Sequence, residues 1–327
     1  MTKITAKKKE MIFEEDKYMN SCHASTVLPL EDGTVVAAWF GGTAEGSNDV
    51  TIWYSRRKDG LWRSPKKVFV TETMPHWNPV LFQKKDGTIL LYFKYGKKVR
   101  SWKTYLSYSY DKGKSFSVPK ELVPGDDGNG RGPVKNKNVR LKDGTVLAPA
   151  SSEKHKASWK CFVDISEDDG ETFTKSNYVL RPKNTGLPVR MIQPTLWESD
   201  EGVHMLVRTN SGYIYRSDSR DKGKTWKKAY KTEYMNPNSG IDLDKLSDGS
   251  LVLISNPTSE NWGARAPLTL MRSFDNGKTF TEFIKLEAAA GCEHEFSYPA
   301  IVAVGMKLYI TYTYERKTIA YWEIEIE

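Results

Sequence analysis

Two carboxylates and an imidazole directly precede a tyrosine in the segment 291–298, GCEHEFSY. A phenol has an unperturbed pKa of about 10, so Tyr298 needs a neighbouring base before it can act as a nucleophile or a base at neutral pH. Glu293 and Glu295 could supply that base. The segment therefore indicates a site for nucleophilic or acid–base chemistry.

A loop that begins with two glycines offers further acids. Residues 41–49 (GGTAEGSND) join two predicted strands, and they carry Glu45 and Asp49. The glycines allow the backbone to approach another group closely. We expect this loop either to present a proton donor or to be an ordinary solvated loop.

Two arginines stand alone among apolar strand residues. Arg208 lies in HMLVRTN and Arg265 lies in NWGARAPLTLM. Each guanidinium needs an anion in such surroundings. A carboxylate of a substrate would serve, and so would an internal ion pair with Asp242 or Glu295.

The elements that must position these residues belong to a repeat. The pattern S-x-D-x-G-x-[TS]-[WF] begins at 109, 166, 219 and 273, and a degenerate copy (SRRKDGLW) begins at 55, so successive copies start 53 to 57 residues apart. Asp and Gly at this spacing favour a tight turn, because the Asp accepts from nearby N–H groups and the Gly tolerates positive φ. A fixed period of this length indicates a repeated supersecondary unit.

The period divides the 327 residues into about six units. Each of the first five units also carries an acidic-Gly turn, such as Asp86-Gly87, which is typical of a hairpin. The sequence therefore predicts an all-β fold, a six-bladed β-propeller in a single domain spanning 1–327. We expect residues 11–15 to close the ring by adding an outer strand to the last blade. The expected blades are 21–72, 73–130, 131–185, 186–234, 235–288 and 289–327.

Counting back nine residues from the turn glycines locates the starts of the innermost strands, which surround the central channel. In the last unit the Tyr298-Pro299 step marks the equivalent place. Polar side chains that converge at the mouth of a channel indicate a ligand site, although they could also cap strand ends or hold channel water. The positions found are His23 beside Ala24, Asn78, Lys135 with Asn136, Gln193, Asn238 near Gly240, and Tyr298.

Composition limits the classes of function. Aromatic residues make up 12% and charged residues 28% of the chain, and the net charge is +8, which favours either an anionic substrate or simply a solvated surface. No motif or basic helix predicts nucleic-acid binding, and no apolar run predicts a membrane span. The three cysteines show no metal spacing, so neither a metal nor another cofactor is expected. The N-terminal residues lack an apolar signal region, which predicts a cytoplasmic protein, or a secreted one if the natural chain begins earlier.

The whole chain resembles the sialidase superfamily, in its neuraminidase-like branch of BNR or Asp-box propellers. The resemblance implies that Tyr298 is the nucleophile, that Asp49 or Glu45 is the acid/base, and that Arg208 and Arg265 are two of three arginines that hold a substrate carboxylate. The sequence departs from the family pattern at two positions. His23 stands where the first arginine is expected, and Gln193 stands where the glutamate that activates the tyrosine is expected.

The resemblance implies a glycoside hydrolase that acts on a terminal acidic sugar, either a sialic-acid-like ulosonate or a uronate, with an acidic glycan as its partner. Gln193 cannot accept a proton, so Glu293 or Glu295 would have to replace the missing base. One alternative is a polysaccharide lyase or a rhamnosidase-type propeller that uses His23. Another is a non-catalytic glycan-binding propeller. The expected substrate-binding residues are Arg208, Arg265, Gln193, Asn78, Lys135, Asn136, Asn238 and Asp242.

Overall fold

Six small antiparallel sheets form the blades of a β-propeller in the computed structural model, which describes residues 2–70, 73–126, 130–154, 158–184 and 186–327. The predicted all-β, six-bladed propeller is therefore confirmed. A 3-10 turn at Val99–Ser101 is a short helical segment, and no helix among the described residues could cross a membrane.

The first strand, β1 (Ile4–Met11), belongs to the last blade. Blade 1 contains β2 (Ser21–Pro29), β3 (Val35–Gly42), β4 (Thr51–Lys58), β5 (Leu61–Trp62) and β6 (Lys66–Lys67). Blade 2 contains β7 (His76–Gln83), β8 (Ile89–Tyr95), β9 (Lys103–Ser109) and β10 (Lys120–Glu121). Blade 3 contains β11 (Val139–Arg140), β12 (Val146–Ser152), β13 (Lys160–Ser166) and β14 (Thr174–Lys175).

A two-stranded ribbon, β15 (Lys183–Asn184) and β16 (Leu187–Pro188), precedes blade 4. Blade 4 contains β17 (Met191–Ser199), β18 (Gly202–Thr209), β19 (Tyr213–Ser219) and β20 (Tyr230–Met235). Blade 5 contains β21 (Asp242–Lys245), β22 (Leu251–Ser255), β23 (Leu268–Ser273) and β24 (Thr281–Glu287). Blade 6 contains β25 (Phe296–Val304), β26 (Lys307–Tyr314), β27 (Thr318–Ile326) and β1.

The hydrophobic core is divided into layers, one between each pair of neighbouring blades. Leu81 and Ile89 of blade 2, for example, pack against Ala38 and Ile52 of blade 1, and the same kind of apolar cluster occurs at the five other junctions. Each sheet is thus covered on both faces. This explains why strand sequences such as Ile89–Tyr95 (ILLYFKY) are apolar in succession and do not alternate.

The repeated S-x-D-x-G motif forms the turn between the third and fourth strands of a blade. In the first full copy, Ser109 Oγ donates to Asp111 Oδ1 (2.8 Å) and accepts from Gly113 N (2.8 Å). Asp111 Oδ1 also accepts from the N–H groups of Lys114 and Ser115. The other three full copies repeat this network. The predicted turn chemistry is therefore present in all four.

The motif glycines also allow adjacent blades to approach each other. A Cβ on Gly113 would lie 2.9 Å from Val36 of blade 1, and one on Gly170 would lie 2.6 Å from Tyr92 Oη of blade 2. Both glycines have positive φ, 75° and 96°. Glycine is therefore required here by space as well as by backbone conformation.

Four inner strands share a local kink. A non-glycine residue lies in the left-handed region, with φ between 41° and 56°, at Ala24, Asn78, Gln193 and Tyr298. At each place the pairing with the second strand of the blade changes register, as in a β-bulge. The four positions are those found by counting from the turns, and the kink gives them one common geometry.

The outer strand of blade 6 comes from the N-terminus, but it lies earlier than expected. Strand β1 spans Ile4–Met11 and pairs antiparallel with β27, so the expectation of a strand at 11–15 was wrong. The apolar residues that suggested it, Ile12 and Phe13, are buried beyond the end of β1, where Phe13 stacks on Trp39 at 5.0 Å. The strand itself is rich in lysine because most of its side chains are exposed.

We expect Lys8→Pro to destabilise the protein and Lys7→Pro to be nearly neutral. Ile12 N donates to Ile319 O (2.9 Å), and hydrogen-bonded pairs alternate along an antiparallel ladder, so Lys8 N also donates to β27 while Lys7 N faces solvent. Losing the bond should cost about 1 to 2 kcal/mol. Denaturant unfolding of both variants measures the difference, and equal stabilities would contradict this role of β1.

Candidate functional site

A cavity of about 990 Å³ opens where the kinked inner strands and the neighbouring loops meet. Its wall combines four tryptophans, six cationic side chains and two carboxylates, which suits a ligand with both apolar faces and negative charge. The lining residues are His23, Glu45, Trp77, Asn78, Lys98, Val99, Arg100, Trp102, Glu153, Lys154, Trp159, Ile192, Gln193, Arg208, Trp262, Arg265, Tyr298 and Arg316.

The hydroxyl of Tyr298 lies in a network with Arg208 and Gln193. Arg208 Nη1 donates to Tyr298 Oη (2.7 Å) and to Gln193 Oε1 (2.9 Å), and Gln193 Nε2 donates to Tyr298 Oη (3.3 Å). Arg208 is 1% exposed, and its Nε donates to Asn238 Oδ1 (2.8 Å). The phenol oxygen thus accepts from two N–H donors, and the amide of Gln193 gives it no proton acceptor.

Two further arginines meet at Glu295. Arg265 Nη1 donates to Glu295 Oε1 (2.9 Å) and Arg316 Nε donates to Glu295 Oε2 (2.8 Å). Arg316 Nη1 also donates to Glu45 Oε2 (2.6 Å). Burial would raise the pKa of Glu295, but the hydrogen bond from Arg316 and the charge of Arg265 lower it below its ordinary value. Glu295 is therefore an anion that holds two guanidiniums at the cavity, and of the two internal partners considered for Arg265 it is the one that binds.

His23 lies against the ring of Tyr298, with centroids 4.2 Å apart, and it is 2% exposed. Its Nδ1 forms a hydrogen bond with Thr313 Oγ1 (2.9 Å). Burial, followed by the charges of Arg316, Arg265, Arg208 and Lys135, lowers the pKa of His23 well below its ordinary value. The imidazole is therefore neutral at physiological pH and cannot replace an arginine as an anion-binding cation.

The third guanidinium of the cavity comes from Arg316, which sequence reasoning missed. Arg316 lies in the turn between β26 and β27, where it and Glu315 both have positive φ, 55° and 50°. In the sequence it is one charge in Tyr314-Glu-Arg-Lys317, which reads as an ordinary solvated turn. Only its return to the mouth of the propeller beside Glu295 distinguishes it from its neighbours.

The wall of blades 2 and 3 holds the other missed residues. Glu153 follows the end of β12, lines the cavity and is 7% exposed. Trp77, Trp102 and Trp159 line the same cavity and are buried. Trp262, from the loop between β22 and β23 of blade 5, also lines it and is 58% exposed. Tryptophan in a β-rich sequence is usual in a core, so its type alone gave no signal for a site.

Three residues predicted to bind substrate lie below the cavity, in the channel. Lys135 Nζ donates to Asn136 Oδ1 (2.8 Å), to Ile241 O (3.0 Å) and to Pro299 O. Asn136 Nδ2 donates to Pro194 O (2.9 Å). Burial lowers the pKa of Lys135 to about 7. These side chains connect the inner strands of blades 3 to 6 and do not line the cavity.

Asp242 belongs to the same connections. It accepts from Thr195 Oγ1 (2.8 Å), from Ile301 N (3.0 Å) and from Lys137 Nζ. Its carboxylate is 1% exposed and joins blades 4, 5 and 6. Asp242, Lys135 and Asn136 therefore do not line the cavity in this structure, because these polar groups at the strand starts bind neighbouring backbones.

Two of the predicted acids also lie outside the cavity. Asp49 Oδ2 accepts from Thr43 N (2.8 Å) and Thr43 Oγ1 (2.9 Å), so it caps its own loop. Glu293 is exposed and does not line the cavity. Asn238 supports Arg208 from behind, whereas Asn78 lines the cavity and donates to Val134 O (3.1 Å). Of the acids in the glycine-rich loop, only Glu45 reaches the site.

Comparisons with known proteins agree with this architecture. A model of the BNR repeat-like domain matches residues 33–310. A Dyadobacter fermentans protein of unknown function is similar over 100% of this chain and 99% of its own, with 18% identity and a TM-score of 0.79. Among curated proteins the comparison finds no match.

Two sialidases are also similar in structure. The Hadza microbial sialidase Hz136 matches 97% of this chain and 68% of its own, with 15% identity and a TM-score of 0.80. The Trypanosoma rangeli sialidase, solved in complex with sialic acid, matches 98% of this chain and 58% of its own, with 13% identity and a TM-score of 0.72. At sequence identities of 13 to 15%, the similarity to these two sialidases shows a shared fold only.

We expect Glu295→Gln to lower stability at neutral pH by about 1 to 3 kcal/mol, because two guanidiniums then lose their anion. The folded pKa of Glu295 is depressed, so its contribution is present above the unfolded pKa of about 4.3 and is lost as the pH falls through the folded value. Denaturant unfolding at pH 7 and below pH 4 measures this. Glu293→Gln is the exposed control, and a difference that does not shrink in acid would contradict the pairing.

Proposed function

Since the chain belongs to the BNR repeat-like domain family, and three arginines converge with Tyr298 in one cavity, we propose that it is a sialidase-like glycoside hydrolase acting on a terminal acidic sugar. The convergence of Arg208, Arg265 and Arg316 is the observation that carries the proposal. They come from blades 4, 5 and 6, and together they favour a carboxylated ligand.

The polar and aromatic parts of the cavity fit the two faces of a sugar. The guanidinium of the buried Arg208 lies 5.4 Å from the ring of Trp262, which is 58% exposed, so a cation and an aromatic ring lie next to each other in the cavity wall. Aromatic side chains pack against apolar faces of ligands, and arginines recognise planar carboxylates. A sialic-acid-like ulosonate or a uronate offers both features in one ring.

In the proposed reaction Tyr298 Oη attacks the anomeric carbon while Glu45 protonates the departing oxygen. Arg208 Nη1, already 2.7 Å from Oη, would stabilise negative charge that develops on the nucleophile. Glu45 approaches from the loop of blade 1 and is positioned by Arg316. Water then releases the sugar from Tyr298, with Glu45 taking its proton, so that the net reaction is hydrolysis.

A second candidate is a glycan-binding protein without turnover. The observation that favours it is Gln193, whose amide donates to Tyr298 Oη where a proton acceptor would be needed. The alternative centred on His23, elimination or rhamnosidase-type hydrolysis, has less support, because the imidazole is buried and its Nδ1 is engaged by Thr313.

A panel of aryl glycosides of sialic acids, related ulosonates, uronates and rhamnose tests the proposal. We expect colour release from a carboxylated member, and we expect Tyr298→Phe to lower the rate at least about 10³-fold while substrate binding persists. Tyr110→Phe, at a tyrosine that is 78% exposed on a distant turn, is the matched control. Saturable binding without release by the unaltered protein would instead support the binding candidate, and near-ultraviolet absorbance from a uronate polymer would support elimination.

The role of Arg316 gives a second expected outcome. Arg316→Gln should lower kcat/KM for a carboxylated substrate by about 10- to 100-fold more than for the matching methyl ester, because only the acid loses an interaction with its charge, whereas the lost contact with Glu45 affects both substrates alike. Lys317→Gln removes a cation from the same turn that does not line the cavity. If both variants lose equal activity, or the ester is affected as strongly as the acid, Arg316 does not bind the carboxylate.

A further inference from the structure

The proposed nucleophile lacks a proton acceptor among the residues identified so far. A neutral phenol must lose its proton as it attacks carbon, and the amide of Gln193 cannot take it. Glu295 is held as an anion by two guanidiniums, and Glu293 lies outside the cavity. Glu45 is already assigned to the departing oxygen. One carboxylate of the cavity wall has no role in this scheme, and that is Glu153.

Glu153 stands beside the Tyr298 network. It follows Ser152 at the end of β12. Ser151 Oγ donates a hydrogen bond to Glu153 Oε1 (3.2 Å). The same Ser151 Oγ lies 3.4 Å from Gln193 N. Arg208, which donates to Tyr298 Oη, is also an electrostatic neighbour of Glu153. The carboxylate is thus linked through Ser151 to the backbone of Gln193, and it interacts electrostatically with the guanidinium that contacts the phenol.

We propose that Glu153 is the base that accepts the proton of Tyr298 through one bridging water molecule. The inference rests on the proposed hydrolase function and assigns to blade 3 the step that Gln193 cannot perform. Both Glu153 and Tyr298 line one cavity, which has room for a water molecule that relays the proton between them.

The Glu153 carboxylate takes the proton from Tyr298 Oη through the bridging water, the electron pair of Oη forms the bond to the anomeric carbon, and the glycosidic C–O bond breaks. The departing oxygen takes the proton of Glu45 and leaves as an alcohol. In the second half water loses a proton to Glu45 and bonds to the anomeric carbon, and Oη leaves with its electron pair and regains the proton from Glu153.

The surroundings of Glu153 suit a proton acceptor. Burial raises the pKa of Glu153 above its ordinary value, against the opposing influence of Arg208, of Ser151 and of Lys94 on β8. A carboxylate with a raised pKa is a stronger base at neutral pH. Lys94, whose pKa burial lowers to about 7, and Cys161 on β13 are titratable groups that interact with it.

Glu153→Gln tests the assignment on two glycosides of the same acidic sugar, one with an activated aryl leaving group and one with an alkyl leaving group. Loss of the base slows attack on both, so we expect kcat to fall at least about 10²-fold with each, with little change in binding. Glu45→Gln should keep the initial burst of phenol from the activated aryl glycoside, because that leaving group needs no proton, but it should slow the later turnover, because water then lacks its base. Glu293→Gln is the exposed control.

Glu153→Ala with added formate keeps the test decisive if Glu153→Gln folds poorly. Formate supplies a carboxylate in the space left by the side chain, and we expect it to restore activity in a concentration-dependent way, without affecting Tyr298→Phe. Activity of Glu153→Gln equal to the unaltered protein, a loss confined to the alkyl glycoside, or no rescue by formate would overturn the inference alone. No turnover by the unaltered protein on any glycoside would overturn the hydrolase proposal as well.

Discussion

The candidate site depends on the kink shared by four inner strands. At Ala24, Asn78, Gln193 and Tyr298 the backbone enters the left-handed region, which costs about 1 to 3 kcal/mol for a residue other than glycine. Such a conformation persists only where the surrounding structure holds it. Here the neighbouring blades do so, for example through the bond from Ala24 N to Thr313 Oγ1 (3.1 Å). Three of the four, Asn78, Gln193 and Tyr298, line the cavity, and beside Ala24 the neighbouring His23 does so.

Charge is the second constraint on the cavity, and it is met unevenly. Four guanidiniums line it: Glu295 binds those of Arg265 and Arg316, that of Arg208 contacts neutral oxygens of Gln193 and Tyr298, and Arg100 adds the fourth. A buried histidine fits such surroundings because it can remain neutral. The result is a site with a net positive potential in which Arg208, Arg265 and Arg316 each have an oxygen partner without a ligand.

The fold was predictable from the sequence because its signal is local. Ser109, Asp111 and Gly113 make their own turn through hydrogen bonds within five residues, so the motif survives in every full copy and its spacing counts the blades. The kinked strand starts were found from the same spacing. Strand β1 was misplaced because an exposed edge strand needs no apolar pattern, and the two apolar residues after it belong to the core.

The functions of individual side chains could not be read in the same way, because they depend on where distant turns return. Arg316 reaches the cavity from a turn, and Glu153 reaches it from the end of a strand. Neither residue has distinctive neighbours in the sequence. Lys135 and Asp242 carry groups suited to ligand binding, yet the carbonyl and amide groups of neighbouring inner strands use them. A polar residue at a strand start therefore identifies the channel. It does not show whether that residue binds a ligand or bonds to the neighbouring inner strands.

The polar contacts that fill the channel also give the cavity a floor. Lys135 reaches from blade 3 to carbonyls of blades 5 and 6, and Asn136 reaches to blade 4, so the axis of the ring is closed beneath Tyr298. For the proposed hydrolase, this floor means that a sugar chain would enter by its tip, stop at the tyrosine and leave through the same opening, so that each encounter would handle one chain end.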